Sequence, residues 1–313
     1  MLKFLREAAA SSAPCAGLER PRRRGHIAAI CMAVAALAAT GAIAQVAAPE
    51  RSSPAASDSR PAGQTEVVWL GQAAFKITSP GGKVIVIDPW LKANPQTPPA
   101  YKQLESFGRV DVLLVTHGHG DHWADAPALA TLYNTPLRGP GDLLQSAGAL
   151  GILPTALLPR MNKGGTVEAA PGIRVTMVRA EHSSVLLWRN PATNKDEVHP
   201  GGEPIGWIIE LENGLRIYHA GDTAVFGDMR WIGERYRPDL ALVPIGGNFT
   251  MDPGDAAYAV AELLRPKAVI PMHYGANPLA KGTPKEFAAA LDKLDRSGRI
   301  KVVVPQPGER LQF

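Results

Sequence analysis

The sequence predicts an α/β fold whose sheet edge gathers chemistry-bearing side chains. Two observations carry this. Short β-branched runs alternate with helical segments and are punctuated by turn signals, in keeping with 31 Gly and 28 Pro among 313 residues. Strand after strand also ends in a reactive or metal-binding residue type: Asp88, His117, His182, Asp222 and His273. In α/β sheets the strand ends and the loops after them share one edge, so residues distant in sequence meet there.

In chain order, the fold starts near Thr65. Glu66 to Leu70, Ala73 to Thr78 and Lys83 to Ile87 read as strands, with Gly71-Gln72 and Ser79-Pro80-Gly81-Gly82 as the turns between them. Asp88-Pro89-Trp90 ends the third strand. A Pro-rich loop spans 94–99, and Tyr101 to Phe107 predicts one helix. The apolar run Val110 to Val115 reads as a buried strand. Helices are predicted over 123–133 and 141–149, and Ile173 to Val178 is a strand leading to His182. Residues 189–203 read as a polar insertion placed to lie over an active site. Ile205 to Leu211 and Leu215 to Tyr218 form a hairpin across Glu212-Asn213-Gly214. Leu240 to Val243 is a strand, and Pro253 to Leu264 a helix capped by Asp252. A strand over Ala268 to Ile270, a helix over 284–296 and a strand over Lys301 to Val304 close the chain. No repeat at solenoid periods is present.

The first 64 residues stand apart. Arg20, Arg22, Arg23 and Arg24 precede an Ala-rich apolar run from Ile27 to Ala44 that ends in the small-x-small pattern Ala42-Ile43-Ala44. This predicts a signal peptide over 1–44, cleaved after Ala44, and a periplasmic or secreted protein with no stable membrane insertion afterwards. The rival is a retained membrane anchor, because about 18 apolar residues just span a bilayer. The arginine cluster fits twin-arginine export, but the usual Phe-Leu-Lys continuation is missing, and Cys31 lacks a lipobox. Residues 45–64, rich in Ala, Pro, Ser and Arg, read as a flexible linker, and 65–313 as the folded domain.

Cleavage changes the charge. Residues 1–44 carry six of the 33 basic and two of the 29 acidic side chains, which leaves 27 of each. The mature chain is therefore near neutral and gives no basis for nucleic-acid binding. Both cysteines, Cys15 and Cys31, leave with the leader, so a metal site has to be built from His, Asp and Glu.

The run Thr116-His117-Gly118-His119-Gly120-Asp121-His122 supplies those groups. Three imidazoles and a carboxylate fall within six positions directly after a buried strand. Imidazole and carboxylate hold zinc and related metals. In an extended turn, His117, His119 and Asp121 share one side and His122 swings to a neighbouring position, a layout for two adjacent ions.

With His117-x-His119-x-Asp121-His122, then His182, Gly221-Asp222 and His273, the sequence resembles the metallo-β-lactamase superfamily over essentially all of 65–313. The segments Glu181 to Ser184, Tyr218 to Thr223, Pro244 to Met251 and Ile270 to Gly275 resemble a widespread group of uncharacterised metal-dependent hydrolases. That group is similar to ascorbate-6-phosphate lactonase and, more distantly, to N-acylphosphatidylethanolamine phospholipase D. The resemblance implies an αβ/βα four-layer sandwich, two central mixed sheets flanked by helices, with a dinuclear site at one edge. It implies that His117, His119 and His182 bind one metal, that Asp121, His122 and His273 bind the other, and that Asp222 bridges them. Two ions about 3.5–4 Å apart make a shared hydroxide nucleophilic at neutral pH. Asp121, next to that position, is the candidate to orient it and to carry a proton to the leaving group. Zinc is the expected metal, with manganese and iron as alternatives.

Further candidates carry two readings each. Asp88 is a carboxylate that orients a ligand imidazole, or a turn residue before Pro89. His219 supports the site or is a half-buried strand-end histidine. Tyr274 aims its hydroxyl at substrate or packs. Asn248 and Thr250 line the pocket or belong to a glycine loop. Trp123 lines the pocket or packs; Trp69, Trp90, Trp188, Trp207 and Trp231 read as core, and His199 as exposed. Hydrolysis of a lactone or carboxylic ester leads, with phosphodiester hydrolysis next. A β-lactamase, a mononuclear-iron oxidoreductase and a non-catalytic metal-binding module are the remaining classes. The partner expected is a small-molecule substrate, and a homo-oligomer is left open. Specificity is assigned to loops 92–100 and 189–203, which carry no readable code.

Overall fold

The computed structural model describes residues 63–313. The expected leader and cleavage site, and all but the last two residues of the expected linker, lie outside the described residues. Three antiparallel strands come first: β1 (Glu66–Trp69), β2 (Phe75–Thr78) and β3 (Val84–Ile87). The single helix expected over Tyr101 to Phe107 is two short turns. Helix α1 (Pro99–Lys102) starts on a proline, Gln103 is extended, and a 3-10 turn follows over Leu104–Phe107. Strand β4 (Val112–Leu114) runs parallel to β3, and α2 (Gly120–Trp123) and α3 (Ala126–Tyr133) follow it. After β5 (Leu137–Arg138) and α4 (Gly141–Ala149), the edge pair β6 (Thr166–Ala170) and β7 (Ile173–Arg179) opens the second sheet.

The expected insertion is regular structure. Strands β8 (Val185–Asn190) and β9 (Lys195–Pro200) form a separate antiparallel hairpin. Strands β10 (Ile205–Glu210), β11 (Arg216–His219), β12 (Leu240–Pro244) and β13 (Ala268–Met272) build the centre of the second sheet. Helices α5 (Met229–Tyr236), α6 (Pro253–Tyr258) and α7 (Pro284–Leu294) lie between or after them, and α6 continues as a wider π-type turn over Ala259–Leu264. Strands β14 (Lys301–Val302) and β15 (Arg310–Gln312) end the chain.

The first sheet has the order β15-β1-β2-β3-β4-β5, and the second β14-β13-β12-β11-β10-β7-β6. Side-chain alternation explains the layers. Val67, Trp69, Ile85 and Ile87 meet Val175, Trp207, Ile217 and Leu242 in a core between the sheets. Their neighbours Val68, Val84 and Val86 pack outward with Trp123, Leu129 and Leu144 of the helices beyond. Tyr218, Ala241 and Val243 do the same on the other side with Ile232, Val260 and Phe287. Central strands buried on both faces read as continuous apolar runs. Each large side chain so buried contributes roughly 1.5–3 kcal/mol. The result is the αβ/βα sandwich that the resemblance implies. Among the described residues, no helix is long and apolar enough to cross a membrane.

Candidate metal centre

Five strand ends supply the site. Residues after β3, β4, β7, β11 and β13 give Asp88, the His117–His122 loop, His182, Asp222 and His273 respectively. Two glycines permit the approach. A Cβ on Gly118 would lie 2.8 Å from Val185 O, and one on Gly221, at φ 63°, would lie 2.7 Å from Ile205 O. Ser184 Oγ accepts from Gly118 N at 3.1 Å and donates to Gly201 O at 2.9 Å, which fixes the ligand loop to the base of the β8–β9 hairpin.

The seven expected ligands fall into two groups. The ligand atoms of His117, His119 and His182 all lie within 4.8 Å of one another, and so do those of Asp121, His122, Asp222 and His273. His117 Nε2 is 3.0 Å from His119 Nδ1, two nitrogens converging on one point. Asp222 reaches across both groups. Its Oδ1 is 3.3 Å from His122 Nε2, and its Oδ2 is 3.0 Å from His273 Nε2 and 3.6 Å from His182 Nε2. His122 Nε2 and Asp222 Oδ1 are buried, and their 3.3 Å contact lacks hydrogen-bond geometry, so neither has a proper partner. Buried polar atoms are normally paired, and a cation between these groups satisfies both.

Asp88 braces the loop. Its Oδ1 accepts from Thr116 N and its Oδ2 from Thr116 Oγ1, each at 2.7 Å. His122 Nδ1 donates to the same Oδ2 at 2.7 Å. The Thr116 hydroxyl, spent on Asp88, accepts from His117 Nδ1 at 3.1 Å. Both rings therefore carry hydrogen on Nδ1 and turn Nε2 toward the centre, the outer-shell pattern of metal-bound histidine. The turn reading of Asp88 is also met: it sits at φ 45°.

Charge divides the groups further. Burial lowers the pKa of His117, His119 and His182, and neighbouring imidazoles lower it more, so these rings are neutral donors. In the second group burial opposes charging of His122, but the Asp222, Asp88 and Asp121 carboxylates outweigh it and hold the pKa well above the usual value. His273, also penalised by burial, is raised to about 9 by Asp222 and Asp121. Asp121 and Asp222 are held well below the carboxylate range, because the charges of His122 and His273 overcome their burial.

A cleft of about 420 Å³ opens on the centre, lined by ligands together with Gln72, Trp90, Ser183, Phe249 and Asn277. None of these five appears among the sequence-derived site candidates. Gln72 lies in a segment read as a turn, and Trp90 is half-buried at the cleft rather than in the core. Four other candidates carried two readings, and none of them lines this cleft. Tyr274 stacks on Trp69 with ring centroids 5.1 Å apart, a packing role. Asn248, left-handed at φ 60°, lines a different cleft with Gly247 and Asp252. The Thr250 hydroxyl turns to Met251 O, so the cleft residue of this loop is Phe249 between them. Trp123 is buried in the outer core.

His219 is fully buried rather than half-buried. Its Nε2 donates to Ala73 O at 2.9 Å and its Nδ1 accepts from Gly221 N at 3.1 Å, so it holds the turn that presents Asp222. His199 is half-buried, with Nε2 3.3 Å from Glu197 and its ring edge-on to Trp188. Neither expected specificity loop lines the cleft. Gln96 instead pins 92–100 inward: its Oε1 accepts from Gln72 N and its Nε2 donates to Tyr274 O, both at 3.0 Å.

Comparison with known proteins gives the family. A beta-lactamase superfamily domain profile matches residues 83–274. A UPF0173 metal-dependent hydrolase of Polaromonas sp. is 64% identical over 251 residues, covering 80% of this chain and 90% of that protein. A UPF0173 metal-dependent hydrolase of Cupriavidus taiwanensis is 54% identical over 290 residues, covering 92% of this chain and all of its own length. Among solved structures, the metallo hydrolase Igni18 of Ignicoccus hospitalis is 33% identical with a TM-score of 0.66, covering 80% of this chain and 98% of its own.

Proposed function

The chain belongs to the beta-lactamase superfamily and to its UPF0173 metal-dependent hydrolases, and on that footing we propose that it cleaves a lactone or carboxylic ester with two divalent ions. The observation that carries the choice of bond is the cleft lining. It offers two aromatic rings, Trp90 and Phe249, with neutral polar groups on Gln72, Ser183 and Asn277, and no Lys or Arg among the described residues. Phosphate esters are usually gripped by guanidinium or ammonium groups, whereas a neutral ester with an apolar portion matches this surface.

In this reading His117, His119 and His182 would hold one ion and Asp121, His122 and His273 the other, with Asp222 lying between the two groups. Such ions supply a water made acidic enough to attack at neutral pH, and polarisation of the scissile carbonyl. Asp88 keeps His122 in the tautomer that turns Nε2 inward. Asp121, with 32% of its side chain exposed to the cleft, orients the attacking water and takes its proton. Once protonated, the same carboxyl group can hand that proton to the leaving oxygen. Trp90 and Phe249 position the apolar part of the substrate and exclude water. Zinc is the proposed metal because imidazole nitrogens dominate the donors.

The test is turnover of a panel of lactones, carboxylic esters, phosphodiesters and β-lactams by metal-replete protein. Lactone or ester turnover is expected, and higher kcat/KM on phosphodiesters would overturn the assignment. Export with cleavage after Ala44 is proposed on the leader sequence alone. N-terminal sequencing of protein from a periplasmic fraction checks it, and a mature chain that starts at Met1 would refute it.

A further inference from the structure

Gln72 is the one cleft residue that joins the ligand atoms of the second group without being one of the expected ligands. It is 1% exposed and holds a left-handed backbone at φ 51°. Its main chain is fixed on both sides: Gln72 O accepts from His273 N at 3.0 Å and from Trp69 Nε1 at 2.9 Å, and its N–H donates to Gln96. Its carboxamide nitrogen sits 2.9 Å from Asp121 Oδ2 and 2.8 Å from His273 Nε2. Its carboxamide oxygen is buried with no partner.

Resting on the reading that Asp121, His122, Asp222 and His273 hold a cation, we infer that the Gln72 carboxamide oxygen is a further ligand of that cation. The ends of a carboxamide are interchangeable by rotation about its last bond, and their assignment follows the surroundings. An N–H aimed at His273 Nε2 competes for the lone pair that a cation needs, and then faces positive charge. Turned over, the same group brings its oxygen to the cation. That gives the unpartnered oxygen a role and removes the repulsion, in exchange for the hydrogen bond that Gln72 Nε2 donates to Asp121 Oδ2. The second group then has three oxygen-bearing donors, Asp121, Asp222 and Gln72, beside two imidazoles, while the first keeps three imidazoles. Carbonyl and carboxylate oxygen favour harder ions such as Mn2+, so the two positions differ in metal preference.

The experiment is stepwise Co2+ loading of the full mature chain, followed by equilibrium dialysis and visible absorption. Three variants are compared with the wild type: Gln72→Leu, Gln72→Asn, which tolerates the left-handed backbone but is one methylene short, and Gln72→Glu, which keeps an oxygen. Unchanged far-UV circular dichroism and first-ion affinity control for folding. For Leu and Asn the second ion is expected to bind about tenfold more weakly or worse. Its absorption should intensify as the coordination number falls. Glu should bind the second ion at least as tightly as wild type. Wild-type affinity and spectrum in both Leu and Asn, or loss of the second ion in Glu, would overturn the inference. A wild-type chain that takes up only one ion would instead sink the two-cation reading beneath it.

Discussion

The two ligand groups sit side by side yet are built by different means. His117, His119 and His182 are three imidazoles kept neutral by burial and by each other. The second group mixes two imidazoles and two carboxylates that shift one another's pKa strongly in opposite directions, and it leans on the Asp88 brace. A neutral nitrogen cage asks little of its surroundings beyond geometry. A buried charged cluster needs partners for every polar atom, and that is where the unpartnered His122 Nε2 and Asp222 Oδ1 are found. The lesson is that one histidine-rich loop feeds two ligand groups with different supports, so on the two-ion proposal they should respond separately to mutation.

The largest effect should come from the residue common to both. Asp222→Ala is expected to take hydrolysis to background and metal content below two per chain, read by elemental analysis beside the turnover assay. Full activity with one ion missing would erase the distinction between the groups. Next is Asp88→Ala. It should weaken the second ion by about 10–100-fold, with a smaller effect on the first, whose link to Asp88 runs only through the Thr116 hydroxyl. It also leaves the buried Thr116 N–H unpaired and His122 Nδ1–H with only the long 3.4 Å contact to Thr116 Oγ1, at about 1–3 kcal/mol for the lost partner, which a drop in Tm would report. Equal weakening of both ions would show the supports to be shared.

Phe249→Ala should touch neither group. About a tenfold fall in kcat/KM, mostly in KM, is expected with two ions retained, since the residue supplies only apolar contact. The smallest effect is a pH dependence. Burial depresses the His219 pKa below its usual 6.5, with the backbone of Ala73 and Gly221 arranged for the neutral ring. The unfolded chain then binds the proton more readily, so this stability is complete above about pH 6.5 and is lost as pH falls below it. In metal-free protein His219→Gln should flatten that loss, measured by urea unfolding at a series of pH values. An unchanged slope would remove His219 from the support of Asp222.

Much of this site was legible because its chemistry is confined to few residue types. Histidines and aspartates at strand ends have little structural reason to recur, so His117, His182, Asp222 and His273 stood out even though the fold alone brings them together. Asp88 was visible for the same reason. Gln72 was hidden because glutamine beside glycine reads as a turn, which it also is. Phe249 was hidden between Asn248 and Thr250 by the expectation that site residues are polar. The β8–β9 hairpin escaped because Arg189, Pro191, Lys195 and Asp196 make the segment look like a loop. Its exposed Leu187 and Val198 are opposed across the pair, a register that only the folded chain displays. β6 and β15 are edge strands without a single fully buried residue, so they lack the apolar run that marks the central strands.

The central claim is that two adjacent cation sites share one loop and one carboxylate. Zinc stoichiometry of the wild-type chain, measured together with His182→Ala and His273→Ala, addresses it most directly. Two ions in the wild type and one in each variant are expected, with the retained ion differing in affinity between the two variants. A single ion in the wild type, or loss of the same ion in both variants, would contradict it.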